Sequence, residues 1–451
     1  MSETAEVTRI LADYVVHARP ADIPASVRHE ASRALLNALG CAIGSAHHET
    51  VENALAAIRD FAGPPQAGVF GRRERLDALN AALINGISTH VLDYDDTHAR
   101  AVHPSAPLWP ALLAFAEWRK TSGADLIHAF VLGVETECRI ALSVFPEHYD
   151  RGWHITGTAG IFGAAAATGR LLGLNEQQMR WALGIAATQS SGLREMFGSM
   201  CKSLHPGRAA QGGMTAALLA AKNFTSSERV IEAERGWAHV TSTRFDPTVI
   251  TGELGSRFEL MSNMYKPYAC GLVVHATIDG CIQLRNEHQL QPQDIARVDL
   301  IVSPIVMELT AIKEPQTGLQ GKFSIFHAAA TAIVFGAAGE PQFGDAAVND
   351  PRVVTLRRLV TVAPDAALKK IQARISITLN DGRRFEKTVE NALGTLARPM
   401  SDADLETKFR SLTDGVLDNT EARTLIDLCW SAESLADGAA VARATVPRAH
   451  S

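Results

Sequence analysis

The sequence lacks the features that mark nucleic-acid-binding and membrane proteins. Its 43 Lys and Arg residues stand against 49 Asp and Glu residues, so the overall basic charge expected for nucleic-acid binding is absent. No stretch approaches the roughly 20 apolar residues that a membrane-spanning helix needs. The opening residues, MSETAEVTRI, lack a basic segment followed by an apolar one. We therefore predict a cytoplasmic protein with neither a nucleic-acid nor a membrane partner.

Closely spaced cysteines are also missing. The chain has no Cys-x-x-Cys pair, which argues against a zinc knuckle and weakens the case for an iron–sulfur cluster. The six cysteines are scattered, at Cys41, Cys138, Cys201, Cys270, Cys281 and Cys429. Because free cysteine is usually buried, we predict six buried thiols without a catalytic or metal-binding role.

The 451 residues are too many for one ordinary hydrophobic core, which favours two domains. Up to about residue 260 the pattern is helical and rich in small residues, as in the face formed by Ala31, Leu35 and Ala38. Asn175 and Gln178 have the spacing of a capping box that begins a helix at MRWALGIAA. The pattern predicts a helical bundle.

Between about residues 290 and 390 the pattern changes to strands. ARVDLIVS and ARISITL alternate apolar and polar residues, and 380–382 (Asn-Asp-Gly) favour a tight turn before FEKTV. FSIFHAAATAIVFG and DPRVVTLRRLV are helical in pattern, and a helical pattern resumes after Pro399. We predict a mainly α fold, with a discontinuous all-helical large domain (1–266 and 398–451) interrupted by a smaller α+β domain (267–397).

The densest polar cluster is NGISTHVLDYDDTHARAVHPSAP, residues 85–107. If its start is helical, His90, Asp93 and Thr97 share one face, and the segment that contains His103 leaves the helix as a loop. Asp93 and Thr97 would then orient a loop histidine.

Two other interpretations of this cluster stay open. His90, Asp93, Asp95 or His103 could bind a divalent metal. Alternatively, the segment is an ordinary capped helix end, with capping and surface groups at Asp95, Asp96 and His98.

Two further segments in the helical region favour an anionic ligand. His154 in GWHITGTAG precedes an apolar helix whose first backbone N–H groups could face an anion, although the motif is not G-x-G-x-x-G. In FGSMCKSLHPGRAAQGG, Lys202, His205 and Arg208 concentrate positive charge at a helix start, which suits a carboxylate. A structural histidine and a solvated basic loop are the alternatives.

Two residues in the second domain are candidates as well. Lys266 stands directly before Pro267, where the helical pattern gives way to the α+β pattern. His327 lies at the start of an apolar helix in GKFSIFHAAATA. A surface lysine and a core histidine are the alternatives.

Taken in order, these blocks resemble those of the MmgE/PrpD family over nearly the whole chain. The resemblance implies an enzyme with a helical large domain, an inserted α+β lid, a homodimeric assembly, and neither a metal nor an organic cofactor. It assigns functional roles to six positions, namely Asp93, Thr97, His103, His154, Lys202 and Lys266. Where the decarboxylase branch has a tyrosine in its FSxxY block, this chain has His327.

The hypothesis is a lyase that transfers a proton next to a carboxylate of a small di- or tricarboxylic acid. Lys202 and Lys266, assisted by His205 and Arg208, would bind carboxylates, His103 and His154 would exchange protons, and Asp93 and Thr97 would orient them. We favour a 2-methylcitrate or citrate dehydratase, in which His327 protonates the departing hydroxyl. A cis-aconitate decarboxylase, an iminodisuccinate epimerase, a metallohydrolase and a non-catalytic carboxylate-binding protein are the alternatives.

Overall fold

A computed structural model describes residues 6–100 and 102–448. The chain folds into two compact units. Unit 1 takes its described residues from Met1–Val91, Asp95–Asn263 and Asp402–Ser451, and unit 2 takes its residues from Leu92–Tyr94 and Met264–Ser401. The domain boundaries expected near residues 267 and 397 stay a prediction.

Unit 1 is helical, as its small-residue pattern predicts. Its helices are α1 (Val7–His17), α2 (Ala25–Gly44), α3 (Glu49–Ile58), α4 (Ala78–Val91), α5 (Ser105–Trp118), α6 (Gly123–Val144), α7 (Glu147–Asp150), α8 (Ile155–Leu172), α9 (Glu176–Thr188), α10 (Cys201–Ala220), α11 (Trp237–Thr241), α12 (Pro247–Thr251), α19 (Asp402–Thr413), α20 (Asn419–Trp430) and α21 (Ala439–Arg443). Two-residue strands interrupt the helical chain at β1 (Ala67–Gly68), β2 (Arg75–Leu76), β3 (Thr97–His98) and β4 (Asn263–Met264). The predicted capping box is confirmed, since the side chains of Asn175 and Gln178 each accept a hydrogen bond from the other's backbone N–H before α9.

Glycine allows the central helices of unit 1 to pack closely. A Cβ at Gly86 of α4 would lie 2.6 Å from the Cα of Gly207 of α10, and a Cβ at Gly213 would lie 2.5 Å from the Cβ of Ala164 in α8. Real side chains do not tolerate such distances, so these crossings require glycine. Helix α10 therefore runs close to both α4 and α8, and these three helices carry or adjoin the histidines described below.

Unit 2 combines a four-stranded sheet with short helices. The strand order is β6 (Val360–Pro364), β5 (Ile295–Val302), β7 (Ala373–Leu379) and β8 (Arg384–Val389), and only the β5–β6 pair is parallel. The helices are α13 (His275–His288), α14 (Pro304–Thr310), α15 (Gly318–Gly321), α16 (Ile325–Phe335), α17 (Asp345–Val348) and α18 (Pro351–Arg357).

The predicted hairpin of unit 2 is confirmed. Strands β7 and β8 pair antiparallel across a turn in which Gly382 has a φ of +90°, a conformation that glycine adopts without strain. The helix predicted over DPRVVTLRRLV is shorter than expected, since α18 ends at Arg357 and the chain enters β6 at Val360. None of the helices in the described part of the chain combines the length and the apolar character that a membrane span needs.

Candidate active site

The 85–107 segment does not continue as a helix. Helix α4 ends at Val91, Asp93 has a φ of +51°, and Thr97 lies in β3. The prediction that His90, Asp93 and Thr97 share a helix face is therefore wrong, because the chain turns out of the helix before Asp93. The hydroxyl of Thr97 is buried and lies 3.4 Å from the carbonyl oxygen of His98, a long hydrogen bond.

The interpretation of Asp95, Asp96 and His98 as capping and surface groups is also wrong. Both aspartates are completely buried and His98 is 3% exposed. Nε2 of His98 lies 3.2 Å from the carboxylate of Glu259. Charged groups are seldom buried unless other side chains or backbone groups compensate them, so this loop belongs to the polar interior of unit 1.

Asp95 holds two imidazole rings. Its Oδ2 lies 2.9 Å from Nδ1 of His90 and 3.5 Å from Nδ1 of His103, and the two rings are 4.8 Å apart in a T-shaped arrangement. Burial opposes ionisation of Asp95, but the two imidazoles lower the pKa of its carboxyl group well below the usual range. Burial lowers the pKa of His90 to about 4, which describes a neutral ring that donates its Nδ1 proton to a carboxylate.

The neighbours of His103 determine where its proton resides. Nδ1 of His103 lies 2.9 Å from the carbonyl oxygen of Asp96, in addition to its contact with Asp95. Because both partners are hydrogen-bond acceptors, they hold an imidazole proton on Nδ1 and leave Nε2 as the nitrogen that can accept a proton. The backbone N–H of His103 donates to the hydroxyl of Thr156 at 3.2 Å, which ties the loop to α8. His103 is therefore oriented as a base at Nε2.

A second imidazole pair lies in the same unit. His154 immediately precedes α8, His205 lies in α10, and their Nδ1 atoms are 2.8 Å apart. The ring of His154 also lies 5.7 Å from that of His90, so the two pairs form one cluster. Burial is the largest cause that lowers the pKa of His154 well below its usual value, and burial lowers the pKa of His205 to about 4.

Lys202 supplies positive charge to this cluster. It lies one turn before His205 on α10, and its Nζ is 5.3 Å from the centre of the Phe197 ring. Its charge contributes to the lowered pKa values of His90, His154 and His205. Arg208, in contrast, is exposed and donates to the side chain of Gln211.

Two further buried acids, Asp96 and Glu137, lie in unit 1, and the sequence analysis does not single out Glu137. Oδ2 of Asp96 accepts hydrogen bonds from Ser105 Oγ at 2.7 Å and Asn263 Nδ2 at 2.6 Å, and burial together with Asp95 raises its pKa to about 7. Neither carboxyl oxygen of Glu137 has a hydrogen-bond partner among the described residues, and burial raises its pKa well above the usual range. Glu137 lies in an apolar helix pattern, so only its burial draws attention to it.

Unit 2 contains the other predicted residues. Nζ of Lys266 donates to the carbonyl oxygen of Asp93 at 2.8 Å and to its carboxylate at 3.0 Å, and both residues are buried. A second buried lysine, Lys322, donates to the carbonyl oxygen of Leu92 and to Glu340. The sequence analysis misses Lys322, although this residue stands in the quoted GKFSIFHAAA block.

His327 is a buried residue at the start of α16. Its backbone N–H donates to the Oγ of Ser324, which caps the helix. Nε2 lies 3.0 Å from the carbonyl oxygen of Gln342, so this nitrogen carries the proton of the neutral ring and donates it to the backbone. Burial lowers the pKa of His327 to about 4. The buried ring therefore has a structural role, since it links α16 to the backbone at Gln342.

Comparisons with known protein families identify the family of this chain. The MmgE/PrpD N-terminal domain matches residues 9–250, and the MmgE/PrpD C-terminal domain matches residues 268–432. The chain belongs to the MmgE/PrpD family. The family resemblance predicted from the sequence is therefore confirmed.

Several relatives of this MmgE/PrpD enzyme cover nearly its whole length. The cis-aconitate decarboxylase-like protein oryM of Aspergillus oryzae is 28% identical, with coverage of 96% of this chain and 95% of the relative. The cis-aconitate decarboxylase of Aspergillus terreus is 28% identical over 92% and 91% of the two chains. The human cis-aconitate decarboxylase is 28% identical over 91% and 88%.

The histidine cluster of this MmgE/PrpD enzyme also has the composition of a metal site. Ligand atoms of His90, Asp95 and His103 all lie within 4.8 Å of one another, and this is the one such group in the described part of the chain. Two histidines and a carboxylate suit zinc or a similar transition metal. Asp93, which the metal hypothesis includes, is not in the group. A metal bound through the two Nδ1 atoms would replace the protons that Asp95 and the Asp96 carbonyl now accept.

Proposed function

We propose that this MmgE/PrpD enzyme is a lyase that decarboxylates cis-aconitate or a close structural relative. The observation that carries the proposal is the cluster of four imidazoles in unit 1, formed by His90, His103, His154 and His205. Hydrogen bonds at Nδ1 orient the rings of the cluster, and Lys202 lies one turn from His205 on α10. The relatives named above, which are cis-aconitate decarboxylases or resemble them, support the choice of substrate.

Decarboxylation needs stabilised charge and a proton donor. When the bond to the departing carboxylate breaks, its electron pair stays on carbon and must be stabilised by neighbouring positive charge until a proton arrives. Lys202 provides the charge, and His103 and His154 exchange the proton. One positioned acid or base contributes roughly 10²–10⁴-fold, and one electrostatic stabiliser a further ~10²–10³-fold. The roles that the resemblance implies for Asp93, Thr97 and Lys266 stay predictions, as does carboxylate binding by His205 and Arg208.

Dehydration is the weaker proposal. Its residue-level support is a proton donated by His327 to a leaving hydroxyl. In unit 2 the Nε2 proton of that ring is already donated to the carbonyl of Gln342, at 3.0 Å. A donor whose proton is engaged by a backbone acceptor is less available for catalysis, and this supports the choice of decarboxylation over dehydration.

An NMR screen in heavy water tests the reaction. Carbon-13-labelled cis-aconitate should lose one carboxylate as carbon dioxide and gain one deuterium on carbon. Citrate, 2-methylcitrate and iminodisuccinate are run in parallel. Loss of water without loss of carbon dioxide would identify a dehydratase, and deuterium exchange with an unchanged carbon skeleton would identify an epimerase.

Variants then test the assigned residues. His103→Ala and His154→Ala should each abolish turnover, because each removes a proton-exchanging ring. His239→Ala is the matched control, since His239 is exposed in unit 1 and lies outside the cluster. Near-normal rates in either test variant would contradict the assignment. Loss of wild-type activity with a chelator, accompanied by stoichiometric metal in the purified protein, would favour the metal-dependent alternative.

A further inference from the structure

We propose that His205 is a proton-relay partner of His154, so that a proton that arrives at Nε2 of His154 releases the Nδ1 proton to Nδ1 of His205. The inference deepens the proposed lyase function and rests on it for its catalytic consequence. It changes the predicted role of His205 from carboxylate binding to proton transfer.

The contact between the two rings carries the argument. Their Nδ1 atoms are 2.8 Å apart, a distance that requires a proton between them, since two bare lone pairs or two N–H groups would repel each other. In a pair of neutral rings, one ring therefore carries its proton on Nδ1 and the other on Nε2. The two Nε2 atoms are consequently in opposite states, with a lone pair on one ring and a proton on the other.

The surroundings hold His205 against His154. A Cβ at Gly157 of α8 would lie 2.8 Å from the Cβ of His205, and a Cβ at Gly192 would lie 3.2 Å from its ring. The backbone N–H of His154 donates to the carbonyl of Gly192 at 2.9 Å. Gly157 and Gly192 thus leave room for the imidazole of His205 next to the ring of His154.

Burial and nearby charge keep the pair neutral at physiological pH. His154 is 3% exposed and His205 is 8% exposed. The charge of Lys202 on α10 acts on both rings and disfavours a further positive charge. A neutral pair carries one bridging proton and can receive or supply one more.

The step balances without a co-reactant. In the resting pair, His154 donates its Nδ1 proton to the lone pair of His205, whose own proton is on Nε2. When a proton binds Nε2 of His154, the bridging proton crosses to His205, which then carries the positive charge while His154 becomes neutral again. Decarboxylation starts from the protonated pair, in which Nε2 of His154 carries a proton and His205 carries the positive charge. The carbon that loses carbon dioxide keeps the electron pair and takes that Nε2 proton, and His154 recovers its Nδ1 proton from His205. The pair is then neutral again, and solvent supplies one proton for the next turnover.

The relay has catalytic value because it changes which ring carries the positive charge. Without His205, a proton on Nε2 would leave the positive charge on the ring of His154, which is 3% exposed and stacks on His90, an arrangement that burial opposes. Transfer of the bridging proton moves that charge to the more exposed ring of the pair. A positioned acid or base contributes roughly 10²–10⁴-fold, which sets the size of the expected effect.

The first test is nitrogen-15 NMR of imidazole-labelled wild-type protein without substrate. We expect one ring of the pair to be protonated at Nδ1 and the other at Nε2. The same neutral tautomer in both rings would overturn the relay. Because no substrate is present, this result is independent of the proposed reaction.

The second test is kinetic, with cis-aconitate as the probe. Glutamine can hold one hydrogen bond but cannot pass a proton, so His205→Gln should lower kcat about 10²-fold and change KM less than about twofold. His239→Gln, the same change at an exposed histidine, should match the wild type. A raised KM with an unchanged kcat would overturn the relay in favour of carboxylate binding. If the wild type does not process cis-aconitate, the proposed function fails, and the tautomer measurement still decides whether the relay exists.

Discussion

At the scale of single residues, protonation in unit 1 is determined by which atoms face each imidazole. Nδ1 of His103 faces two acceptors, Nδ1 of His90 faces a carboxylate, and the His154–His205 pair shares one proton. The residue types alone do not determine these states, because a histidine can carry its proton on either nitrogen.

Asp95 should be essential for the orientation of two of these rings. Asp95→Asn removes the negative charge and presents an amide N–H to one imidazole, so at least one of His90 and His103 should change tautomer. We expect kcat to fall by roughly 10²-fold while the protein stays folded. Kinetics with the substrate found in the screen, together with circular dichroism, measure the effect. The exposed Asp60→Asn serves as the control, and an unchanged kcat in Asp95→Asn would contradict the expectation.

Asp96 should make stability depend on pH. Its pKa is raised from 3.8 to about 7, so between these values the folded protein keeps a proton that the unfolded chain has lost. This difference lowers the free energy of unfolding as the pH rises from about 4 to 7, by about 1.4 kcal/mol per pH unit at most. Asp96→Asn removes this term, so its stability relative to wild type should increase over that range and level off above pH 7. Urea unfolding at pH 5, 6, 7 and 8 measures the difference in the free energy of unfolding between Asp96→Asn and the wild type. A difference that stays the same at every pH would contradict the expectation.

At the scale of elements, close helix packing brings the imidazoles together. His90 lies in the last turn of α4, His154 precedes α8 and His205 lies in α10. Helix α10 crosses α4 and α8 at glycines. The geometry of the cluster therefore depends on backbones that approach more closely than larger side chains permit.

Gly86→Ala should disturb this arrangement. The new Cβ would lie 2.6 Å from the Cα of Gly207, so α4 and α10 would have to separate. We expect a loss of about 1–3 kcal/mol in the free energy of unfolding, accompanied by reduced kcat. Chemical denaturation and kinetics measure both effects. Gly339→Ala is the matched control, because a Cβ there would meet nothing closer than 3.5 Å. Equal stability of the two variants would contradict the packing argument.

At the scale of the whole molecule, buried histidines should make the protein sensitive to acid. Burial is the largest cause that lowers the pKa values of these rings from 6.5. The pKa is lowered to about 4 at His90, His128, His148, His205 and His327, and well below its usual value at His154. Between pH 4 and 6.5 the unfolded chain binds protons that the folded protein does not bind. Stability should therefore fall as the pH decreases through this range.

The free energy of unfolding, measured in urea from pH 7 to pH 4.5, tests this expectation. Its slope against pH should correspond to an uptake of several protons, and His128→Gln should reduce that uptake by about one proton. A free energy of unfolding that stays constant between pH 7 and pH 5 would show that these rings are not held neutral by the fold.

The sequence by itself determined the helical character of unit 1, the capping box before α9, the hairpin around Gly382 and the family. These features depend on local periodicity, on turn chemistry and on ordered motif blocks, all of which are present in a linear chain. Only the tertiary structure decided that the chain leaves the helix before Asp93, that Asp95 and Asp96 are buried, and that His154 meets His205. The physical reason is that burial and hydrogen-bond partners arise from helices distant in sequence, here α4, α8 and α10, whose close approach no local pattern encodes.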